Sequence, residues 1–253
     1  MNKRGQVTTF MIVGLVILII VILLFAVRKT GVGMKSQDYL QSNLDDVKTN
    51  INQCIDKQAN EVLELIGKQG GYLNPSAYRL YKGYRVSYLC FNIPNTDICA
   101  NAIVSKAAIE QQLSDYIRVN LPYCFNANDL SKSLFFPDVE VGNLNIKTTI
   151  EEQAVIFDID YPIALKKGDA TAKLQPYKKS VEAPLGLLLD TTYDVIESEA
   201  TLGTFLNLQY MLANRGAVEI YKDQPYPDKV YVLNARNSNY IFQFAIENEG
   251  ENE

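Results

Sequence analysis

An unbroken apolar run near the N-terminus constrains this chain more than any other feature. Phe10 to Val27 is 18 residues of Phe, Met, Ile, Val, Leu, Ala and one Gly, and no residue from Val7 to Val27 is charged. As a helix those 21 residues would rise ~31 Å at ~1.5 Å per residue, about one bilayer hydrocarbon core. A core helix of that length normally carries a polar stripe, and none interrupts this one, which predicts a single membrane-spanning helix facing lipid on every side. Lys3 and Arg4 precede it; Arg28 and Lys29 close it.

The chain has 253 residues and a net charge of −5, which disfavours nucleic acid as a partner. It has no histidine, and this removes Ser-His-Asp and Cys-His catalysis, the usual zinc sites and histidine pH switching. Cys54, Cys90, Cys99 and Cys124 all follow the apolar run, contain no Cys-x-x-Cys and match no zinc knuckle. They read as two disulfides in an oxidising compartment, which predicts a cell-membrane protein with its C-terminal part outside the cytoplasm.

The remainder predicts an α+β fold, helices packed on antiparallel strands. Four segments are expected: a signal anchor at 1–29, a mainly helical disulfide-linked region at 30–134, a β-rich region at 135–247 with one long helix at 185–215, and an acidic tail at 248–253. Glycines at 31–33 mark a break after the anchor. From Ser36 to Lys68, apolar residues at spacings of three, four and seven predict a helix with Cys54 on its apolar face. Ile109, Leu113, Ile117 and Leu121 form a second helical stripe that ends at Pro122. Packing these two helices predicts the pairs Cys54–Cys124 and Cys90–Cys99, the latter flanking the turn at Pro94-Asn95.

Val139, Val141, Leu144, Ile146 and Thr148 alternate around Gly142-Asn143, which predicts a hairpin. The next strand sets Val155, Phe157, Ile159 and Tyr161 on one face and Asp158 and Asp160 on the other. The two aspartates read as a solvated face, and no metal ligand set or cofactor site is assigned. Three strands close the chain, in AVEIY, KVYVL and YIFQFAI. Tyr72, Tyr78, Tyr81, Tyr84 and Tyr88 crowd 17 residues and form the candidate binding surface, although tyrosines half-buried on a small sheet with their hydroxyls at the edge are the favoured explanation of the pattern.

Lys3-Arg4-Gly5-Gln6-Val7-Thr8-Thr9-Phe10 resembles the class III signal peptide of archaeal type IV pilin-like proteins. The resemblance implies processing between Gly5 and Gln6, with the apolar helix retained. It departs from the family at Phe10, where an acidic residue is expected, and at Gly14, where a leucine is expected. The order of cysteine-bearing helix, IGKQGGYLNP, second helix, strands and long apolar helix also resembles a group of single-pass archaeal surface proteins, and this implies architecture and location only. Together these readings predict a non-catalytic, membrane-anchored surface or envelope component, not an enzyme, whose partners are the lipid bilayer and itself or other envelope proteins. The alternative is an anchored ligand-binding or adhesion module.

Overall fold

A computed structural model describes residues 4–29, 36–126, 129–130 and 138–248, with the side chains of 4–10, 26–29 and 36 outside the description. The glycines at 31–33 and the tail beyond Asn248 therefore lie outside the described residues, as do the side chains of Gly5 and Gln6.

The N-terminal helix α1 runs Arg4–Lys29. Among the described residues no helix is long and apolar enough to cross a membrane. This corrects the membrane-spanning helix expected over 7–27. The side chains described along α1 are those of residues 11–25. Those side chains are apolar and exposed, from 43 % at Val21 to 74 % at Met11.

The α+β class holds. Helix α2 (Ser36–Lys68) is the spine. Its stripe of Leu40, Leu44, Val47, Ile51, Ile55, Val62 and Ile66 is buried, and it packs against α3 (Lys106–Cys124) and against strands of all three sheets. Ser105 caps α3 by accepting a hydrogen bond from the Ala108 amide. Helix α3 continues through Pro122 to Cys124 rather than stopping at the proline. Cys54–Cys124 joins α2 to α3 across 70 residues, and Cys90–Cys99 closes a nine-residue separation. Both pairs are those expected.

The largest sheet holds β1 (Tyr78–Tyr81), β2 (Tyr84–Asn92), β12 (Ile241–Ile246), β11 (Lys229–Ala235) and β10 (Val218–Asp223) in that order, with β3 (Cys99–Asn101) also on β2. Its pairs are antiparallel except β12 with β2, so the expectation of purely antiparallel strands is corrected at one junction. Two three-stranded antiparallel sheets complete the fold: β4 (Asp138–Val141), β7 (Ile163–Lys167) and β8 (Ala170–Lys173), and β5 (Asn145–Ile150), β6 (Ala154–Asp160) and β9 (Tyr177–Glu182).

The hairpin expected around Gly142-Asn143 does not form. Strand β4 pairs with β7 and β5 with β6, so the two alternating stretches enter different sheets. The Gly142 amide donates instead to the Pro162 carbonyl at 2.7 Å. The helix expected over 185–215 is two, α4 (Leu185–Leu202) and α5 (Asn207–Ala213). Gly203, at φ +69°, ends α4 in the left-handed region, where a Cβ would also lie 2.5 Å from the Asp97 carbonyl oxygen.

Helix α3 also seals a sheet edge. The Thr148 amide donates to Ser114 Oγ at 2.9 Å and the Ile150 amide to Glu110 Oε1 at 2.9 Å, so side chains of α3 satisfy donors along β5. The main hydrophobic core is continuous from Leu40 to Ile246 and draws on both sides of residue 135.

Candidate functional site

The five tyrosines of 72–88 do not share one surface. Tyr72 follows α2 and packs half-buried against the main core. Alternation along β1 sets Tyr78 on the face opposite Tyr81. Tyr78 is exposed, with the Arg85 guanidinium 5.2 Å from its ring centre. Tyr81, Tyr84 and Tyr88 gather on a second, small apolar cluster with Val86, Val230, Val232 and Ala245.

That cluster lies on the sheet face opposite the main core, because Val230 and Ala245 alternate with Tyr231 and Phe244, which belong to the main core. After α2 the chain turns at Gly70 and Gly71, both at positive φ (+72° and +89°). A Cβ on Gly70 would sit 3.2 Å from both the Gln243 carbonyl oxygen and Ser87 Cβ, and one on Gly71 would sit 2.5 Å from Val104 Cγ1. Gln243 Nε2 donates to the Lys68 carbonyl at 2.7 Å, and the Ser87 amide to the Gln69 carbonyl at 3.3 Å. The turn thus occupies the space between β12 and the first half of β2. Consequently β2 is used in two halves: Tyr84–Ser87 pairs with β1, while Tyr88 and Cys90 pair with β12, and Cys90–Asn92 with β3.

Polar contacts hold the β1–β2 hairpin down. Tyr81 donates its hydroxyl to Asp223 Oδ2 at 2.9 Å. Arg79 pairs with Asp228 and donates to the Tyr226 carbonyl at 3.2 Å; Tyr88 donates to the same Asp228 Oδ2 at 2.7 Å. The other Asp228 oxygen accepts from the Asn248 amide at 3.2 Å. With its side chain 4 % exposed, Asp228 ties β1, β2, the start of β11 and the chain after β12 to one carboxylate. Burial first, and the hydrogen bond to Asp228 second, push the Tyr88 phenol up to about 12. Lys68 Nζ donates to Tyr84 Oη at 2.8 Å and stands 4.5 Å from that ring's centre, a cation–π contact at the hairpin's other margin.

A second polar cluster pins α4. Glu199, 1 % exposed, accepts from Lys229 at 2.6 Å, from Lys222 at 3.4 Å and from the buried Tyr231 hydroxyl. Lys229 also donates to the Gly203 carbonyl at 3.0 Å. Burial is the larger cause, and the Glu199 bond the next, that drive the Tyr231 phenol far above its ordinary value. The cluster sits inside the packing of α4 on β11, with Lys222 reaching it from β10, and its geometry is that of a structural pin.

Asp158 lies between Lys147 of β5 and Lys178 of β9 in register, with Lys178 Nζ 3.1 Å from its carboxylate, and Asp160 is exposed. Among the described residues no three His, Cys, Asp or Glu side chains are placed to hold a metal ion. A concavity of about 550 Å³ lies between α2 and the β8–β9 connection. It is lined by Gln37, Gln41, Asp45, Lys48, Lys173 and Tyr177 among others, and Lys48 covers the Tyr177 ring at 4.5 Å.

Sequence reasoning missed Arg79, Asp223, Asp228 and Glu199. Each is a charge in an otherwise ordinary strand, turn or helix pattern, and only the tertiary fold reveals its partners. The chain matches no family model, no curated protein and no solved structure.

Proposed function

We propose that this chain is a non-catalytic, extracytoplasmic building block of the cell envelope. The two disulfides carry this reading. All four cysteines are paired, one bridge bolting α2 to α3 and the other clipping β2 to β3, and such bonds persist in oxidising compartments. The exposed apolar side chains of α1 supply an attachment surface of a kind that water does not favour. The likeness of residues 3–10 to a pilin-type signal supports processing between Gly5 and Gln6. The absence of histidine, and the commitment of the buried carboxylates Asp228 and Glu199 to structural contacts, support a role without catalysis.

Trapping thiols in living cells, then isolating the protein and sequencing its N-terminus, tests the proposal. The expected result is four cysteines protected from alkylation and Gln6 as the first residue. Four alkylated cysteines on a chain beginning at Met1 would overturn it. A ligand-binding module is the second reading, favoured by the amide- and lysine-lined hollow beside the β8–β9 connection.

A further inference from the structure

The two-part use of β2 has a mechanical consequence. We infer that Tyr78–Ser87, the β1–β2 hairpin, is a hinged strap that opens as a unit while the rest of the fold stays closed. It pivots at Tyr88–Cys90, and Asp228 is its clasp. Four observations carry the inference.

In register, Tyr84–Ser87 pair with β1, and the first contact of β2 with β12 is at Tyr88. A lone two-stranded hairpin is marginal in water, so the strap depends on what it lies against. Underneath, it covers a small cluster whose buried members are Tyr81, Val86, Val230 and Ala245, separate from the main core, so lifting it breaches only that cluster. Beyond the pivot, the chain is fixed by the Cys90–Cys99 disulfide and by β3, which gives the motion a defined end. The fastening itself is polar: Arg79 to Asp228 and the Tyr226 carbonyl, Tyr81 to Asp223, Lys68 to Tyr84 and the Ser87 amide to the Gln69 carbonyl, while Tyr88 at the pivot shares Asp228. Charge-assisted hydrogen bonds of this type are about twice as strong as neutral ones, and the two at Asp228, from Arg79 and Tyr88, are weakened together when that carboxylate is lost. Opening would uncover Val86, Val230 and Ala245, an apolar patch on the face of the large sheet turned away from α2 and α4.

Native-state hydrogen exchange on the full chain tests this. Amides of 79–87 should exchange by a local opening, faster than those of β6 at 154–160. Asp228→Asn should accelerate exchange in 79–87 by about tenfold or more, as expected for losing a charge-assisted contact, and leave 154–160 unchanged. Tyr81→Phe, which removes one hydroxyl and keeps the ring, should act in the same place with a smaller factor. Equal acceleration of 79–87 and 154–160 in Tyr81→Phe would show the hairpin to be part of the global unit and overturn the inference. No change in 79–87 in either variant would equally overturn it, because the clasp would then hold nothing.

Discussion

At the scale of single residues, the buried carboxylates Asp228 and Glu199 each gather several partners. Glu199 is the deepest case. Removing its carboxylate leaves the Tyr231 hydroxyl unpaired in the core and two lysines, 19 % and 13 % exposed, facing each other without a counter-charge. Glu199→Ala should therefore cost about 3 kcal/mol, at the low end for breaking a buried pair because the lysines retain some solvent. Urea unfolding checks this, and a loss below about 1 kcal/mol would show that the cluster is not a pin. Asp158 and Asp160 are the opposite case. Replacing both by Asn should change stability by less than ~1 kcal/mol, as surface changes do, and calcium should not alter the melting temperature of either form.

The phenols define a pH dependence. Burial lifts Tyr88 and Tyr177 to about 12, and Tyr231 and Tyr240 further. A folded-state value above the unfolded value of ~10 means that the contribution is complete below pH ~10 and is lost as pH rises through the folded values. Absorbance titration near 295 nm should show these four of the 16 tyrosines silent between pH 10 and 11, titrating later or with alkaline unfolding. A single transition of all tyrosines near pH 10 with unchanged circular dichroism would contradict the burial described.

At the scale of elements, the two disulfides differ in what they join. Cys54–Cys124 closes 70 residues and links two core helices, while Cys90–Cys99 spans nine within one sheet. Chain entropy assigns them about 4 and about 3 kcal/mol. Cys54→Ser/Cys124→Ser should accordingly lower the unfolding midpoint more than the Cys90→Ser/Cys99→Ser pair. Elements were legible in the sequence where one periodicity matched one environment. The α2 stripe of Leu40, Leu44, Val47 and Ile51 and the α3 stripe of Ile109, Leu113, Ile117 and Leu121 are buried as their spacing requires. The three terminal strands stand where alternation puts them. Pairing was not legible, because alternation identifies a strand's face and says nothing of its neighbour. Val139 and Ile146 look like opposite arms of a hairpin, yet their strands join different sheets. The tyrosine block was readable as half-buried, but its division into strap, core and edge follows from the turn at Gly70-Gly71, whose wedging depends on contacts with Gln243 and Ser87, distant in sequence.

At the scale of the whole molecule, an apolar exposed helix precedes a disulfide-locked α+β body with one continuous core. The body has two cores of unequal size, with the α2–α3 pair and the β5–β6–β9 sheet in the main one and the β1–β2 hairpin over the minor one. On the proposed function, this body lies outside the cytoplasm. Protease added to intact cells is the most direct measurement of this account. It predicts digestion of the α2–β12 body while a cytoplasmic control protein survives, and full protection of the body under conditions that cleave a known surface protein would contradict it.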